Sequence, residues 1–529
     1  MECRSFDYRM KWKGRYGMKL KEILKGMVVA GIAVTIGNAY HTPAFAASES
    51  RPNVILFYAD DLGWTDLSSF GSNFYETPNL DRLAAKGMRF TSSYAPSSVC
   101  TPSRAALLTG RTPARLGITD YASANTATQD LQQKRQRNRN QNHMFLEPPS
   151  DIRLPEGSVT FADVFKEAGY HTFFLGKWHV GNPEDGYGPT DHGFDVNIAG
   201  TARGGPYGRG GYFHPFDLPN IDSEPGDHLT DRMAEEAIKL IEGAGTEPFF
   251  MYFSFYDVHT PLMTKDHLEE KYRKKAAPLH LGPRFAWEPP RWNRQVHDHA
   301  VYAGMIETMD EALGAIVTAL EEKGLDENTI IVFSSDHGGL STSEGHPTSN
   351  LPLRAGKGWL YEGGVRVPTL FYWPGVTEPG SRSDEPHVQT DFFPTMLEMA
   401  GLAMRPEDHL DGVSLVSELK GEGASDRERI FWHHPHYSPQ GGSPAGAMRE
   451  GDWKLVEFFE GRRLELYNLA EDIEEQNDLA RRYPRRVMAM HEKLREWRDE
   501  VGALYPEANP NFDPSQGRGD AHRTPPGGF

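Results

Sequence analysis

The chain of 529 residues carries 74 acidic against 56 basic side chains, a formal net charge of −18. That balance argues against a nucleic-acid partner or a general affinity for anionic membrane, so an anionic substrate must be met by local positive charge. The length suffices for two domains or one large one with an appendage.

In chain order, Lys19, Lys21 and Lys25 precede an apolar core from Met27 to Ile36, and Ala44-Phe45-Ala46 follows as a small-x-small site. This reads as a secretory signal peptide within 1–46, cleaved after Ala46, and predicts a periplasmic or secreted protein. Roughly ten apolar residues are too few to span a bilayer, and no later segment does so. Residues 1–17 fit no signal-peptide region, which makes Met18 an alternative start. Cys3 is then lost, and Cys100, the other of two cysteines, has no partner. An oxidising compartment ordinarily favours paired cysteines, so this thiol stands out.

Asn53–Ala59 (NVILFYA) reads as a buried strand, Pro78–Lys86 as a helix, Met88–Tyr94 as a strand and Ser103–Leu108 as a helix. Asn125–Ser150, with Lys134, Arg135, Arg137 and Arg139, reads as a solvated loop, with substrate binding as its alternative. Phe161–Ala168 is predicted helical, Tyr170–Leu175 a strand, Leu229–Glu242 a helix and Phe249–Phe255 a strand. Val301–Lys323 reads as a long helix, with strands at Thr329–Ser334 and Val367–Tyr372. The alternation predicts an α/β layer fold with a mostly parallel sheet over 51–425. Over 426–505 the pattern changes to antiparallel strands and a closing helix at Pro484–Val501, a smaller C-terminal subdomain. An extended or frayed tail is expected over 506–529.

Ligands of open α/β sheets sit beyond the carboxyl ends of the strands. Here four predicted strands run into Asp60-Asp61, into Lys177 and His179, into His259, and into Asp336-His337. Each has a bland reading as a turn, cap or loop residue; their gathering at one sheet edge does not. Asp60, Asp61 and Asp336 form an oxygen-rich set suited to a hard divalent ion such as Ca2+, with His337 an unusual neighbour for it. Lys177 and Arg104 suit the oxygens of an anionic ester, and His179 and His259 are candidates for base and acid. Cys100 precedes a proline-led helix beside Arg104, a setting that makes a thiol reactive. Together these residues predict hydrolysis of a sulfate or phosphate ester.

Cys100-Thr101-Pro102-Ser103-Arg104 followed by AALLTGR resembles the signature of the formylglycine-dependent sulfatases, members of the alkaline-phosphatase-like superfamily. PNVILFYADDLG, TPNLDRLAAKGMRF, GKWHVG, SSDHGG and GKGWLYEGGVRVP follow the family's order, and EGDWKLVEF and LELYNLAEDIEEQNDLA are similar to its C-terminal subdomain. The resemblance implies an alkaline-phosphatase-like α/β fold with a mixed, mostly parallel sheet and a C-terminal α+β subdomain. It also implies that a maturation enzyme oxidises Cys100 to formylglycine. One hydroxyl of the hydrated aldehyde attacks sulfur, and deprotonation of the other releases sulfate. By the same resemblance Asp60, Asp61, Asp336, His337 and the modified Cys100 bind Ca2+, with Mg2+ or another divalent ion as alternatives. His337 falls where many members have Asn. Arg104 holds the diol, Lys177 bridges diol and sulfate, and His179 takes the releasing proton. His259 and Lys357 bind sulfate, with His259 as the acid.

The favoured substrate is a sulfated carbohydrate. The loop Thr201–Phe216 offers Arg203, Arg209, Tyr212 and His214 as a sugar subsite, against a reading as a flexible Gly-rich loop. Two rivals are a phosphomonoester or phosphodiester hydrolase of the same architecture and a non-catalytic binder of sulfated glycans.

Overall fold

The computed structural model describes residues 51–122, 131–279, 282–521 and 526. The expected signal peptide, Cys3 and residues 125–130 of the polar insertion lie outside the described residues. Eight strands form the main sheet: β1 (Asn53–Ala59), β2 (Met88–Phe90), β3 (His171–Gly176), β4 (Val196–Ile198), β5 (Phe249–Ser254), β6 (Thr329–Ser335), β7 (Thr369–Tyr372) and β8 (Ser381–Ser383). Their order is β8-β2-β7-β6-β1-β5-β3-β4. The run from β6 to β4 is parallel, whereas β7 is antiparallel to both β6 and β2.

The central strands are apolar at nearly every position because both faces of the sheet are covered. Alternate side chains of β1 enter separate cores. Ile55, Phe57 and Ala59 pack beneath α1 (Pro78–Lys86), α4 (Leu229–Gly243) and α5 (Ala300–Glu322). Val54, Leu56 and Tyr58 pack against α2 (Cys100–Thr109), α3 (Phe161–Glu167) and α6 (Phe392–Met399). Thr160 caps α3 through a reciprocal bond pair with Asp163, which fixes where that helix begins.

Most expected boundaries hold to within one or two residues, and two elements change further. The single strand expected over Met88–Tyr94 is broken, because the side chain of Arg366 takes the Thr91 carbonyl at 2.7 Å. Ser93–Tyr94 then pairs with His387–Val388 in a separate two-stranded sheet. Helix α2 starts at Cys100 rather than Ser103, with Pro102 still in the first turn, where its missing N–H costs nothing.

In the C-terminal part, β9 (Arg429–His434), β10 (Ala445–Glu450), β11 (Trp453–Phe458) and β12 (Arg463–Asn468) form an antiparallel meander. Helix α7 (Pro484–Val501) lays Met490, Leu494 and Trp497 on Met448, Leu455 and Leu466. A charge cluster fastens this sheet to the main body. Lys454, fully buried on β11, lies 2.8 Å from Glu362 and 3.0 Å from Glu475. Removing one partner from such a cluster costs about 3–5 kcal/mol, because the remaining charges are stranded away from water.

The insertion differs from the sequence reading, and the tail follows the extended one of its two alternatives. Leu131–Asn140 is a helix, not a loop, and its Lys134 pairs with the buried Asp120. The tail is not frayed over its described length: Glu507–Ala508 pairs with Phe145–Leu146, and Gly519 N–H donates to the Gln141 carbonyl at 2.9 Å. No helix among the described residues is long and apolar enough to cross a membrane.

Candidate active site

The carboxyl ends of β1, β3, β5 and β6 converge, as the strand-end pattern predicted. Asp60 and Asp61 follow β1, Lys177 and His179 follow β3, His259 follows β5, and Asp336 and His337 follow β6. Facing them is Cys100, the first residue of α2. Gly176 lets β3 turn out of the sheet: its φ is +97°, and a Cβ there would lie 1.8 Å from the Ser254 carbonyl oxygen. Asp61 and His179 also adopt positive φ (64° and 61°), a costly geometry for non-glycine residues that recurs at functional sites.

All of these side chains are buried. Lys177 Nζ donates to Asp60 Oδ2 at 2.5 Å, and Lys357 Nζ donates to Asp61 Oδ2 at 2.9 Å. Arg104 binds Asp336 Oδ2 through Nε at 3.1 Å and Nη2 at 3.0 Å. Its Nη1 also donates to the Lys177 carbonyl at 3.0 Å and to Ser254 Oγ at 2.7 Å. The guanidinium is thus locked between three strand ends. Cys100 Sγ lies 3.2 Å from His337 Nε2 and 3.7 Å from Asp60 Oδ1.

Three carboxylates stand against three fixed cations. Burial pushes the Asp60 carboxyl up, and Lys177 does not fully offset it while Asp336 adds to it. At Asp61 burial also acts upward, but Lys357, His259 and His337 outweigh it and the group sits at about 2. The Cys100 thiol is raised by burial and lowered further by Lys177 and Lys357, to about 6. Burial, reinforced by Lys357 and Lys177 against Asp61, lowers His259 to about 3. Burial, Lys177 and Arg104 keep His179 well below the usual imidazole range.

Ring contacts fix which nitrogen each histidine presents. Nδ1 of His337 donates to the Gly338 carbonyl at 3.0 Å and Nε2 faces Cys100, Asp61 and Asp336; burial lowers this imidazole, but Asp336, Cys100 and Asp61 outweigh it and raise it above its ordinary value. Nδ1 of His259 faces the Thr260 carbonyl at 2.8 Å, leaving Nε2 toward Asp61. Nε2 of His179 faces the Ala122 carbonyl at 3.2 Å, and its Nδ1 is buried without a partner.

The donor set fits a cation. Ligand atoms of Asp60, Cys100, Asp336 and His337 lie within 4.8 Å of one another, as do those of Asp60, Asp61, Cys100 and His259. Three converging buried carboxylates suit a hard divalent ion, and His337, its Nδ1 held by a carbonyl, turns Nε2 toward them, the usual orientation of a histidine that ligates once a cation replaces its proton.

A cleft of about 190 Å³ opens over Cys100, lined by His179, His259, Lys357, Tyr207, Glu344 and Gln440 among others. The loop Thr201–Phe216 contributes differently from expectation. Tyr212 is fully buried and donates to the carbonyls of Tyr256 (2.6 Å) and His259 (3.0 Å), so it braces the His259 loop instead of lining a sugar subsite. Arg203 is tied to Asp217 and the Tyr207 carbonyl, and His214 pairs with Ser223 at 2.9 Å. Arg209 is exposed and does not line the cleft. From this loop the cleft takes Gly204 and Tyr207, which the sequence reading missed. A Cβ at Gly204 would sit 2.9 Å from the His179 ring. Glu344 and Gln440 were also missed; Gln440 arrives from the C-terminal part and donates to Glu344.

Fold and site together define a sulfuric ester hydrolase, and the chain belongs to the sulfatase family: the family's model matches residues 52–402. A second model, for the C-terminal part of N-sulphoglucosamine sulphohydrolase, matches residues 355–500. Relatives include a sulfatase of Formosa agariphila, 32% identical over 86% of this chain and 91% of that protein. Arylsulfatase A of Bos taurus is 34% identical over 78% of this chain and 76% of its own length. The crystal structure of Ps i-CgsB superposes with a TM-score of 0.68 at 28% identity, covering 85% of this chain and 93% of that one. The same protein is also known in complex with k-i-k-neocarrahexaose.

Proposed function

We propose that the protein removes sulfate from a sulfated carbohydrate in the periplasm or outside the cell, with Cys100 oxidised to formylglycine as the source of its nucleophile. The observation that carries this reading is the placement of Cys100 at a helix N-terminus, facing three buried carboxylates, three cations and two neutral imidazoles. A disulfide partner would defeat that chemistry, and Cys100 has none among the described residues.

The hydrated aldehyde would supply two oxygens on one carbon, one to attack sulfur and one whose deprotonation releases sulfate. Asp60, Asp61, Asp336 and His337 would hold a divalent ion, Ca2+ or alternatively Mg2+, which supplies positive charge beside the reacting oxygens. Without ligands the three carboxylates balance Lys177, Lys357 and Arg104. The cluster can therefore take up a dication and a sulfate monoester anion together without a large excess of charge.

Arg104, held at four points, would hold the diol formed from Cys100. Lys177 and Lys357 would bind the sulfate oxygens, and their present partners Asp60 and Asp61 are among the residues that would hold the divalent ion. His179 Nδ1 accepts the proton that releases sulfate. His259 must collect a proton at Nε2 before it can give one to the leaving oxygen. It is neutral in the bare site, and the anionic sulfate beside it supplies the upward shift. The carbohydrate reading draws support from Tyr121, Tyr207 and Gln440 in the cleft, an aromatic and polar set that suits a sugar, and from the oligosaccharide bound by Ps i-CgsB.

The test is the mass of the Cys100 peptide from protein made with a formylglycine-generating enzyme, followed by sulfate release from defined sulfated oligosaccharides. The aldehyde mass and release from a sulfated sugar are expected. Turnover by protein whose Cys100 is still a thiol would refute the nucleophile, and faster release of phosphate than sulfate would favour the phosphoester rival.

A further inference from the structure

A groove of about 660 Å³ lies between the main body and the C-terminal sheet and shares no lining residue with the cleft over Cys100. Four arginines line it: Arg89 on β2, Arg366 before β7, Arg382 on β8 and Arg449 on β10. Against them stand two carboxylates, Asp384 and Asp452. In a chain of net charge −18 this is a local reversal of sign.

The four guanidinium groups are not equally committed. Arg366 is spent on structure, with Nε on the Thr91 carbonyl, Nη1 on Glu362 and Nη2 on Ser92 Oγ. The described bond of Arg89 uses Nη1 alone, on the Ser69 carbonyl at 2.6 Å. Those of Arg449 use Nε and Nη1, on the Gly451 carbonyl and the Tyr94 hydroxyl. Arg382 is 58% exposed and pairs with the equally exposed Asp384. Behind the groove wall, Ser69 Oγ and Trp64 Nε1 are buried and have no partner among the described residues. The described bonds of Arg89 and Arg449 thus leave guanidinium N–H groups over for a ligand in the groove.

We propose that this groove is a second, non-catalytic site that binds sulfate groups of a polyanionic glycan and holds the polymer on the enzyme. Guanidinium forks match the oxygens of a sulfate, and an indole with hydroxyl groups suits the sugar between sulfates. The inference rests on the reading of the substrate as a sulfated carbohydrate.

The test uses two preparations. The Cys100→Ala protein, which cannot turn over, is run through gels containing carrageenan or its desulfated form, with and without Arg89→Gln/Arg382→Gln. Arg382→Glu alone serves as a second variant, since this side chain is exposed and its substitution buries no charge. The matured enzyme with the same substitutions is assayed on a small sulfated monosaccharide. Retention by carrageenan should fall about tenfold in the double variant and weaken steeply with salt, with small-substrate turnover unchanged. Equal retention of variant and parent, or equal retention by the desulfated polymer, would overturn the site. A parallel fall in small-substrate turnover would make the arginines part of the active cleft and equally overturn it. Failure of the parent to release sulfate from any sugar would refute the proposed function and leave the retention result readable.

Discussion

Replacing Tyr212 by Phe removes one hydroxyl hydrogen shared between the carbonyls of Tyr256 and His259. The two acceptors do not suffer alike. The Tyr256 carbonyl keeps the His259 N–H at 3.0 Å, whereas the His259 carbonyl loses a fully buried donor. One buried acceptor left unpaired costs about 1–3 kcal/mol. The urea midpoint should therefore fall with the slope unchanged. Because the lost bond anchors the backbone that carries the His259 ring, kcat should drop by about tenfold or more, with KM nearly constant. The loss should be larger for alkyl or sugar sulfates than for activated aryl sulfates, which leave without protonation. A raised KM with an unchanged midpoint would refute this account and return Tyr212 to the substrate.

Three other outcomes are expected. Chelation should abolish sulfate release and added Ca2+ or Mg2+ should restore it; activity persisting in protein shown by elemental analysis to lack divalent ions would refute the metal site. In unmatured, metal-free protein, alkylation of Cys100 should titrate near pH 6, and Lys357→Met should move that midpoint upward, since it removes a cation that favours the thiolate; no shift would exclude Lys357 as a cause. His387, lowered to about 3 by burial and Arg427, binds its proton in the unfolded chain first, so stability should rise with pH from about 3 to 6.5. His387→Phe should reduce that slope by up to ~1.4 kcal/mol per pH unit, read from urea midpoints across that range.

The main sheet was legible because each of its long strands is a continuous apolar run ended by a polar cluster. Asn53–Ala59 and Pro484–Val501 match their elements to the residue. The convergence of Asp60, Lys177, His259 and Asp336 followed from the rule that such strands end at one edge. What escaped was decided by partners remote in sequence. Tyr212 looked like a subsite aromatic because nothing local announces the two carbonyls that capture its hydroxyl. Gln440 enters the cleft through a carbonyl bond to Thr342, a contact across about a hundred residues that no periodicity encodes. The insertion read as a loop because its helix is stabilised by the tail and by Asp120, not by an apolar face of its own.

The cleft is built from both ends of the chain, and that sets a timetable. Cys100 leaves the ribosome 340 residues before Gln440. At roughly 5–20 residues per second, the interval is about 20–70 s. For most of it Asp336 and Lys357 are still unmade, the C-terminal sheet is incomplete throughout, and the thiol that ends 3% exposed stands on an unfinished surface. Any enzyme that modifies Cys100 therefore has a window that closes when the last third of the chain arrives. A shorter delay between these segments, or a faster-folding C-terminal sheet, would seal the residue before it could be changed.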